Sequence, residues 1–203
     1  MLRKTLGVIA AALVVSAAAG NAQSTLTPSF SAPRRPFVHS EFGGVVSFPS
    51  PGGTAYEGEY RVGSSKLDLG LRGGLMDFQG GAASEMLAGF EGRARLVSHN
   101  RDFPLDGAVI FGGGGRFASG ESRFSFPLGV TLGRRVGIEG STFSLMPYAQ
   151  PTAFLQGGNN MNTNMQYTLG LGADLRFGGA LDARLGVGVG DLEGVSFGAV
   201  WVH

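Results

Sequence analysis

Hydrophobic and polar residues alternate strictly over residues 165–177, MQYTLGLGADLRF. One face of this segment carries Met, Tyr, Leu, Leu, Ala, Leu and Phe, and the other carries Gln, Thr, two Gly, Asp and Arg. Because successive side chains of a β-strand point to opposite faces, this period of two predicts a strand. The pattern fits two structures: a soluble sandwich with the apolar face inward, and a closed membrane barrel with the apolar face toward lipid.

Similar alternation recurs along the chain, more clearly in some segments than in others, and predicts ten strands. They cover residues 37–48, 55–62, 66–75, 86–97, 107–117, 123–133, 143–155, 165–177, 181–190 and 195–203. The separators are rich in Gly, Pro, Ser and Asn, as turns are. Strands of about 9 to 12 residues suit a tilted crossing of a bilayer, and an even number returns both ends to one side.

The connections between the predicted strands leave the strand number open. The five on one side are PSPGG, QGGAAS, SGES, QGGNNMNTN and DLEG. Two longer ones, SHNRDFPLD and GRRVGIEGS, fall on the other side, where barrels usually keep their turns short. Either these two connections extend the strands beyond the membrane, or one weak strand is miscounted and the barrel has eight.

The N-terminus predicts export. Arg3 and Lys4 precede an apolar run over residues 6–19, and Gly20-Asn21-Ala22 supplies small residues for cleavage after Ala22. This is the organisation of a secretory signal peptide, residues 1–22, rather than of a spanning helix. Residues 23–36 contain three prolines and are interpreted as a flexible periplasmic lead-in without periodicity. The barrel is expected over residues 37–203.

Composition narrows the class of protein. The chain has 16 basic and 15 acidic residues, and this near-neutral balance argues against nucleic-acid binding. It has no cysteine, so an exported domain must hold together without disulfides. The 36 glycines are interleaved with strand formers and with 15 phenylalanines, which is unlike a disordered glycine-rich chain.

The two faces of the predicted strands favour the membrane barrel. The apolar faces carry almost no charge, and their aromatic residues lie near strand ends, as in the girdles at membrane interfaces. The opposite faces carry charges of both signs, with Arg dominating over Lys, and glycines that leave room for long side chains. An inward-facing ion-pair network is therefore predicted from Glu57, Glu59, Arg61, Asp68, Arg72, Glu91, Arg93, Arg95, Asp174, Arg176, Asp182 and Arg184.

The last predicted strand carries a resemblance. Ser196, Gly198, Trp201 and His203 are spaced like the C-terminal β-signal read by the barrel-assembly machinery, although the family usually ends in Phe. With the signal peptide and strand pattern, the chain resembles the small bacterial outer-membrane β-barrel proteins of the OmpA-like and OmpX-like superfamily. The resemblance implies an all-β, antiparallel up-and-down transmembrane barrel, monomeric, in contact with outer-membrane lipid.

Candidate chemistry is sparse. His39, Ser40 and Glu41 are adjacent, but alternation on a strand puts Ser40 on the face opposite to the other two, so they cannot form a triad by themselves. His99 and His203 have no evident partner in the sequence. The glycine runs at 112–115 and 186–190 precede no predicted helix, so packing space is favoured over phosphate binding. No catalytic residue, cofactor or metal site is predicted.

Three functions fit these sequence features, in decreasing order of preference. The first is a structural or interaction protein of the outer membrane with a plugged, salt-bridged interior. The second is a small solute channel, and the third is a lipid-modifying or proteolytic barrel enzyme. The assignment of faces predicts that Leu171→Arg, toward lipid, is costly, whereas Gly172→Ser, toward the interior, is mild.

Overall fold

The computed structural model describes residues 24–33, 40–64, 66–78, 80, 83–137 and 139–203. The predicted signal peptide, residues 1–22, and His39 lie outside the described residues. Eleven strands are present in this part of the chain. They are β1 (Glu41–Pro49), β2 (Thr54–Gly63), β3 (Leu67–Asp77), β4 (Glu85–Val97), β5 (Asp106–Ala118), β6 (Glu121–Gly133), β7 (Val136–Gly137), β8 (Ser144–Gly158), β9 (Met161–Phe177), β10 (Leu181–Gly190) and β11 (Gly194–Val202).

Ten of these strands close into an antiparallel barrel. Sequence neighbours pair with one another from β1 to β6 and from β8 to β11, and β1 pairs with β11. The ring is completed by pairing of β6 with β8, where Phe126 lies opposite Leu155. The two-residue strand β7 pairs only with the start of β8 and lies outside the ring. The prediction of ten strands is confirmed, and the alternative of eight is wrong.

The barrel has two distinguishable ends. At the C-terminal end, the backbone amides of Ser40 and His203 each donate to the other's carbonyl at 2.9 Å. The two long connections lie at this end, and the second of them contains β7, which explains its length. The opposite end, which we call the hairpin end, contains the turn at Asn159–Asn160. The predicted loop QGGNNMNTN is therefore too long, because β8 and β9 extend through most of it.

Alternation sorts the side chains of the barrel into an outer and an inner set. The outward positions are apolar and exposed, for example Phe42 on β1, Leu71 on β3 and Leu128 on β6. Most inward positions are charged, hydroxyl-bearing or glycine, and the charged and hydroxyl side chains among them are mostly buried. The interior of the barrel is thus its core. Among the described residues there is no helix with the length and apolarity needed to cross a membrane.

Residues 24–33, which we call the N-terminal segment, lie inside the barrel, and all ten are buried. The segment runs from Leu26, beside Arg116 near the hairpin end, to Ala32, beside Arg93 nearer the C-terminal end. This differs from the flexible lead-in expected over residues 23–36. The physical reason is that its hydroxyl groups and carbonyls are hydrogen-bonded by inward side chains, which offsets the cost of ordering it.

Candidate functional site: the barrel interior

The central ion-pair cluster joins β2, β3 and β4. Asp68 accepts hydrogen bonds from Arg61 Nη1 at 2.5 Å and from Arg93 Nε at 3.0 Å. Arg61 also donates through Nη2 to Glu91 Oε1 at 2.8 Å. The register places these strands side by side, with Asp68 opposite Arg93. Because two guanidinium groups share two carboxylates here, each charge has opposite charges as its nearest partners, as a buried charge requires.

A second cluster crosses the seam where the chain closes on itself. Arg184 on β10 donates to Glu41 Oε2 on β1 at 2.9 Å and also to Glu59 on β2. Nearby, Arg176 and Asp182 form a two-pronged pair with distances of 2.7 and 2.8 Å. Arg184 therefore joins three strands, two of which come from opposite ends of the sequence. These pairs connect β10 to β1 and β2 across the intervening β11 from inside the barrel.

The predicted network residues lie mostly where alternation put them. Buried in the interior are Glu57, Glu59, Arg61, Asp68, Arg72, Glu91, Arg93, Asp174, Asp182 and Arg184. Arg176 is partly exposed, and Arg95 is exposed near the C-terminal end. The sequence prediction missed Glu41, Glu85 and Arg116, although all three share the inward parity of their strands. The sequence singles out Glu41 only beside His39 and Ser40 as a catalytic candidate, whereas its partner in the structure is Arg184.

Ten buried, charged, inward-facing residues on β1 to β4 and on β10, which is separated from β1 by β11, form what we call the charged wall: Glu41, Glu57, Glu59, Arg61, Asp68, Arg72, Glu91, Arg93, Asp182 and Arg184. This wall binds hydroxyl groups of the N-terminal segment. Thr27 Oγ1 donates to Glu57 Oε2 at 2.7 Å, and Ser31 Oγ donates to Glu91 Oε1 at 2.9 Å. Between them, Arg72 Nη2 donates to Ser29 Oγ at 2.7 Å. The three hydroxyl groups therefore serve as hydrogen-bond partners for charged side chains of the wall.

The inward residues on β6, β8 and β9 are uncharged over most of their length. We call the following set the neutral wall: Ser125, Thr131, Met146, Tyr148, Gln150, Thr152 and Thr168. It binds the main chain of the N-terminal segment. The Ser31 amide donates to Gln150 Oε1 at 2.9 Å, and Thr131 Oγ1 donates to the Ser31 carbonyl at 2.8 Å. The Tyr148 hydroxyl donates to the Phe30 carbonyl at 3.0 Å.

Phe30 is the apolar anchor of the segment. Its buried ring clusters with Ala32, Met146, Tyr148 and Leu192. The ring lies against Gly170, and a Cβ at Gly188 would come within 3.2 Å of ring atom Cε2. Together these glycines form a recess that only residues without side chains could provide. The glycine run at 186–190 thus serves as packing space, in keeping with the sequence interpretation.

Other glycines make room for side chains of the barrel itself. A Cβ at Gly70 would lie 2.9 Å from the Arg61 guanidinium carbon. A Cβ at Gly172 would meet the Tyr148 ring and would come within 2.6 Å of the Leu185 carbonyl oxygen. The expectation that Gly172→Ser is mild is therefore overturned, because this position is already filled by a neighbouring side chain.

The connection between β4 and β5 contains a contact that the sequence analysis did not find. His99 Nδ1 lies 3.0 Å from Asp106 Oδ1, and the His99 amide donates to the same oxygen at 3.0 Å. Seven residues separate the two, and the turn between them brings them together. The contact fixes this connection at the C-terminal end of the barrel. His203, by contrast, pairs with Ser40 through backbone groups.

The residues of the predicted assembly signal lie on or directly after β11. Ser196 is buried and faces inward, whereas Trp201 is exposed on the outer face. Gly198 lies opposite Val45 on β1 and opposite Arg184 on β10. The strand thus forms part of the seam that closes the barrel. Among the described residues, no group of three or more His, Asp or Glu side chains is placed to hold a metal ion.

Comparison with known proteins yields barrel folds and no family. No family model matches the chain, and no curated protein does. A de novo designed transmembrane β-barrel is similar over 84% of this chain and 99% of the designed chain, at 14% identity and a TM-score of 0.39. The β-domain of the Bordetella autotransporter BrkA is similar over 81% of this chain and 97% of that domain, at 14% identity and a TM-score of 0.45. A bacterial polysaccharide outer-membrane secretin is similar over 74% of this chain and 56% of the secretin chain, at 12% identity and a TM-score of 0.47.

Proposed function

We propose that this protein is an integral outer-membrane β-barrel whose interior is closed by its own N-terminal segment. Its role is then structural or that of an interaction protein in the cell envelope, without catalysis. The observation that carries the proposal is the burial of all ten residues 24–33 inside the barrel, with hydrogen bonds to both walls. Membership in the OmpA-like and OmpX-like superfamily, with assembly by the barrel-assembly machinery as a monomer, belongs to the same proposal.

The outer surface supports the membrane setting. Leu71 is 66% exposed and Phe42 is 63% exposed, and they belong to a belt of outward apolar side chains around the barrel. A contiguous apolar belt of this kind is unfavourable in water and matches the hydrocarbon layer of a bilayer. Most charged residues along the middle of the strands are buried on the inside, which is the reverse of a soluble protein.

Aromatic residues cluster at both ends of this belt. At the C-terminal end, Phe42 lies between Tyr60 and Trp201 in the register of three adjacent strands. At the hairpin end, the rings of Phe117 and Phe124 pack edge to face with centroids 5.7 Å apart. Two aromatic bands separated by aliphatic residues match the interfacial girdles of transmembrane barrels.

Planar-bilayer recording tests the closed interior. The refolded full-length protein should insert and show no single-channel steps at either polarity, because the N-terminal segment fills the path between the two ends. Steady steps from the unmodified protein would overturn the proposal in favour of the small solute channel.

A cysteine pair tests the position of the segment directly. A Cβ at Gly89 would lie 3.1 Å from Ser24 Cβ, a few tenths of an ångström short of the usual separation in a disulfide. The chain has no cysteine of its own, so Ser24→Cys with Gly89→Cys should form one crosslink, visible as altered migration on a non-reducing gel. The matched control, Ser24→Cys with Leu71→Cys on the outer face, should form none.

A further inference from the structure

We propose that the barrel interior is a binding site for a short peptide of alternating hydroxyl-bearing and apolar residues, and that residues 24–33 are its resident ligand. This inference rests on the proposed function, because it assumes the closed barrel. It goes beyond closure, since it assigns to the interior a ligand class and a sequence preference. It also implies that the same site accepts such a peptide from outside the chain.

The N-terminal segment carries a period of two that matches the two walls. Its sequence from residue 25 is TLTPSFSA, in which Thr or Ser occupies every odd position and an apolar residue every even position. Hydroxyl groups at positions 27, 29 and 31 bond to the charged wall. The apolar side chain at position 30 packs toward the neutral wall. Residues 29–32 contain no turn or bend and present alternate side chains to opposite sides, so both walls are contacted at once. Residues 24–28 fold through turns and bends, with Leu26 at φ 58° and the Ser29 amide donating to the Thr27 carbonyl at 2.8 Å.

The interior also recognises the main chain. Gln150 and Thr131 hold the amide and carbonyl of Ser31, Tyr148 holds the carbonyl of Phe30, and Arg93 Nη1 donates to the carbonyl of Ala32 at 2.7 Å. These bonds come from side chains of the barrel and fix the backbone of residues 30–32 regardless of the side chains it carries. Backbone recognition of this kind provides affinity, and pockets for alternate side chains provide specificity.

The barrel is complete without the segment. The ten strands close through the pairs β1–β11 and β6–β8, and residues 24–33 belong to none of the strands. The segment therefore occupies the site as a ligand attached in cis by the residues that precede β1. A tethered ligand competes at an effective concentration in the millimolar range, so the intact protein should resist exchange with an outside peptide.

The test separates the segment from the barrel after folding. A protease recognition sequence is inserted between Arg35 and Pro36 of the full-length chain, which is refolded and then cut. A fluorescein-labelled peptide with the sequence of residues 24–33 is added, and its anisotropy is followed in detergent micelles. We expect the cut protein to take up this peptide at least 100-fold more tightly than the uncut protein does. A scrambled peptide and one with Phe30→Ala should bind at least tenfold more weakly than the matching peptide.

A second variant covers the case in which the inserted site is not cut. Phe30→Asp in the full chain places a carboxylate in the glycine recess and should release the segment, so that the labelled peptide binds without cleavage. Equal binding of matched and scrambled peptides, or no uptake by a cut protein or a heat-modifiable Phe30→Asp barrel, overturns the inference. If the peptide-binding experiments fail while the uncut protein is silent in bilayers, closure of the barrel stands and only the peptide-binding inference is overturned. Conductance of the uncut protein overturns the proposed function itself.

Discussion

The charged wall and the neutral wall show how one alternating pattern builds two different inner surfaces. On the charged wall, Arg61 and Arg93 are held by Asp68 and Glu91, and Glu91 and Arg93 also bind the N-terminal segment. On the neutral wall, amide and hydroxyl side chains such as Gln150 and Thr131 bind the backbone of that segment. The first wall must keep every charge paired, whereas the second must keep its space and its neutral hydrogen bonds.

Arginine suits the charged wall because its planar guanidinium can serve two partners at once. Arg61 bridges Asp68 and Glu91, and Arg184 bridges Glu41 and Glu59. A lysine ammonium lacks this fixed fork, and buried charges are costly when one partner is missing. Removing a carboxylate from this wall should therefore cost more than any change on the neutral wall.

The largest effect is expected for Asp68→Asn. The substitution leaves the volume nearly unchanged but removes the charge shared by Arg61 and Arg93, both almost fully buried. Breaking a buried ion pair by removing one partner costs about 3–5 kcal/mol. The free energy of unfolding should fall by that order, measured by denaturant titration of the barrel refolded in detergent.

Asp77→Asn is the matched control for this change. Asp77 is exposed at the hairpin end of the same strand and accepts a hydrogen bond from the hydroxyl of exposed Ser84. Its replacement should change stability by less than about 0.5 kcal/mol, as surface substitutions usually do. Equal effects of the two substitutions would mean that the charged wall is not the part of the interior most sensitive to charge.

A smaller loss in the free energy of unfolding is expected for Gly172→Ser. This substitution tests whether the neutral wall needs the space that a glycine leaves beside Tyr148. The new side chain would meet the Tyr148 ring and push it from its hydrogen bond with the Phe30 carbonyl. Overpacking of this kind costs about 1–3 kcal/mol. Gly179→Ser is the control, because a Cβ there meets nothing within 4 Å. A Gly172→Ser barrel as stable as the Gly179→Ser control would show that the wall yields without penalty.

The sequence predicts the barrel well because alternation reports directly on which face each residue occupies. Leu171 and Gly172 fall on the expected sides, and the inward parity of Arg61 and Asp68 follows from their strands. The identity of each ion-pair partner does not follow, since it depends on the register between strands. Arg184 pairs with Glu41 only because the last strands lie next to the first, which no local pattern shows.

The position of the N-terminal segment does not follow from the sequence for a different reason. Its proline content predicts a lead-in without structure, although hydroxyl-bearing and apolar residues alternate over 25–32. Thr and Ser are only weakly polar, so this alternation does not stand out as a period of two. Its partners are distant in sequence: 119 residues separate Ser31 from Gln150. The contact of His99 with Asp106 is also not visible in the sequence, because only the turn brings the two residues together.

The smallest effect separates two buried hydroxyl groups on the same strand, β6. Thr131 Oγ1 donates to the Ser31 carbonyl at 2.8 Å, whereas Ser125 Oγ is buried without a hydrogen-bond partner among the described residues. Thr131→Val should cost about 1 kcal/mol, because a buried carbonyl of the N-terminal segment loses its donor. Ser125→Ala should be neutral or slightly stabilising, because it removes an unsatisfied polar group. Denaturant titrations of the two variants check this order, and a larger loss for Ser125→Ala would show that the neutral wall stabilises the barrel independently of the segment it binds.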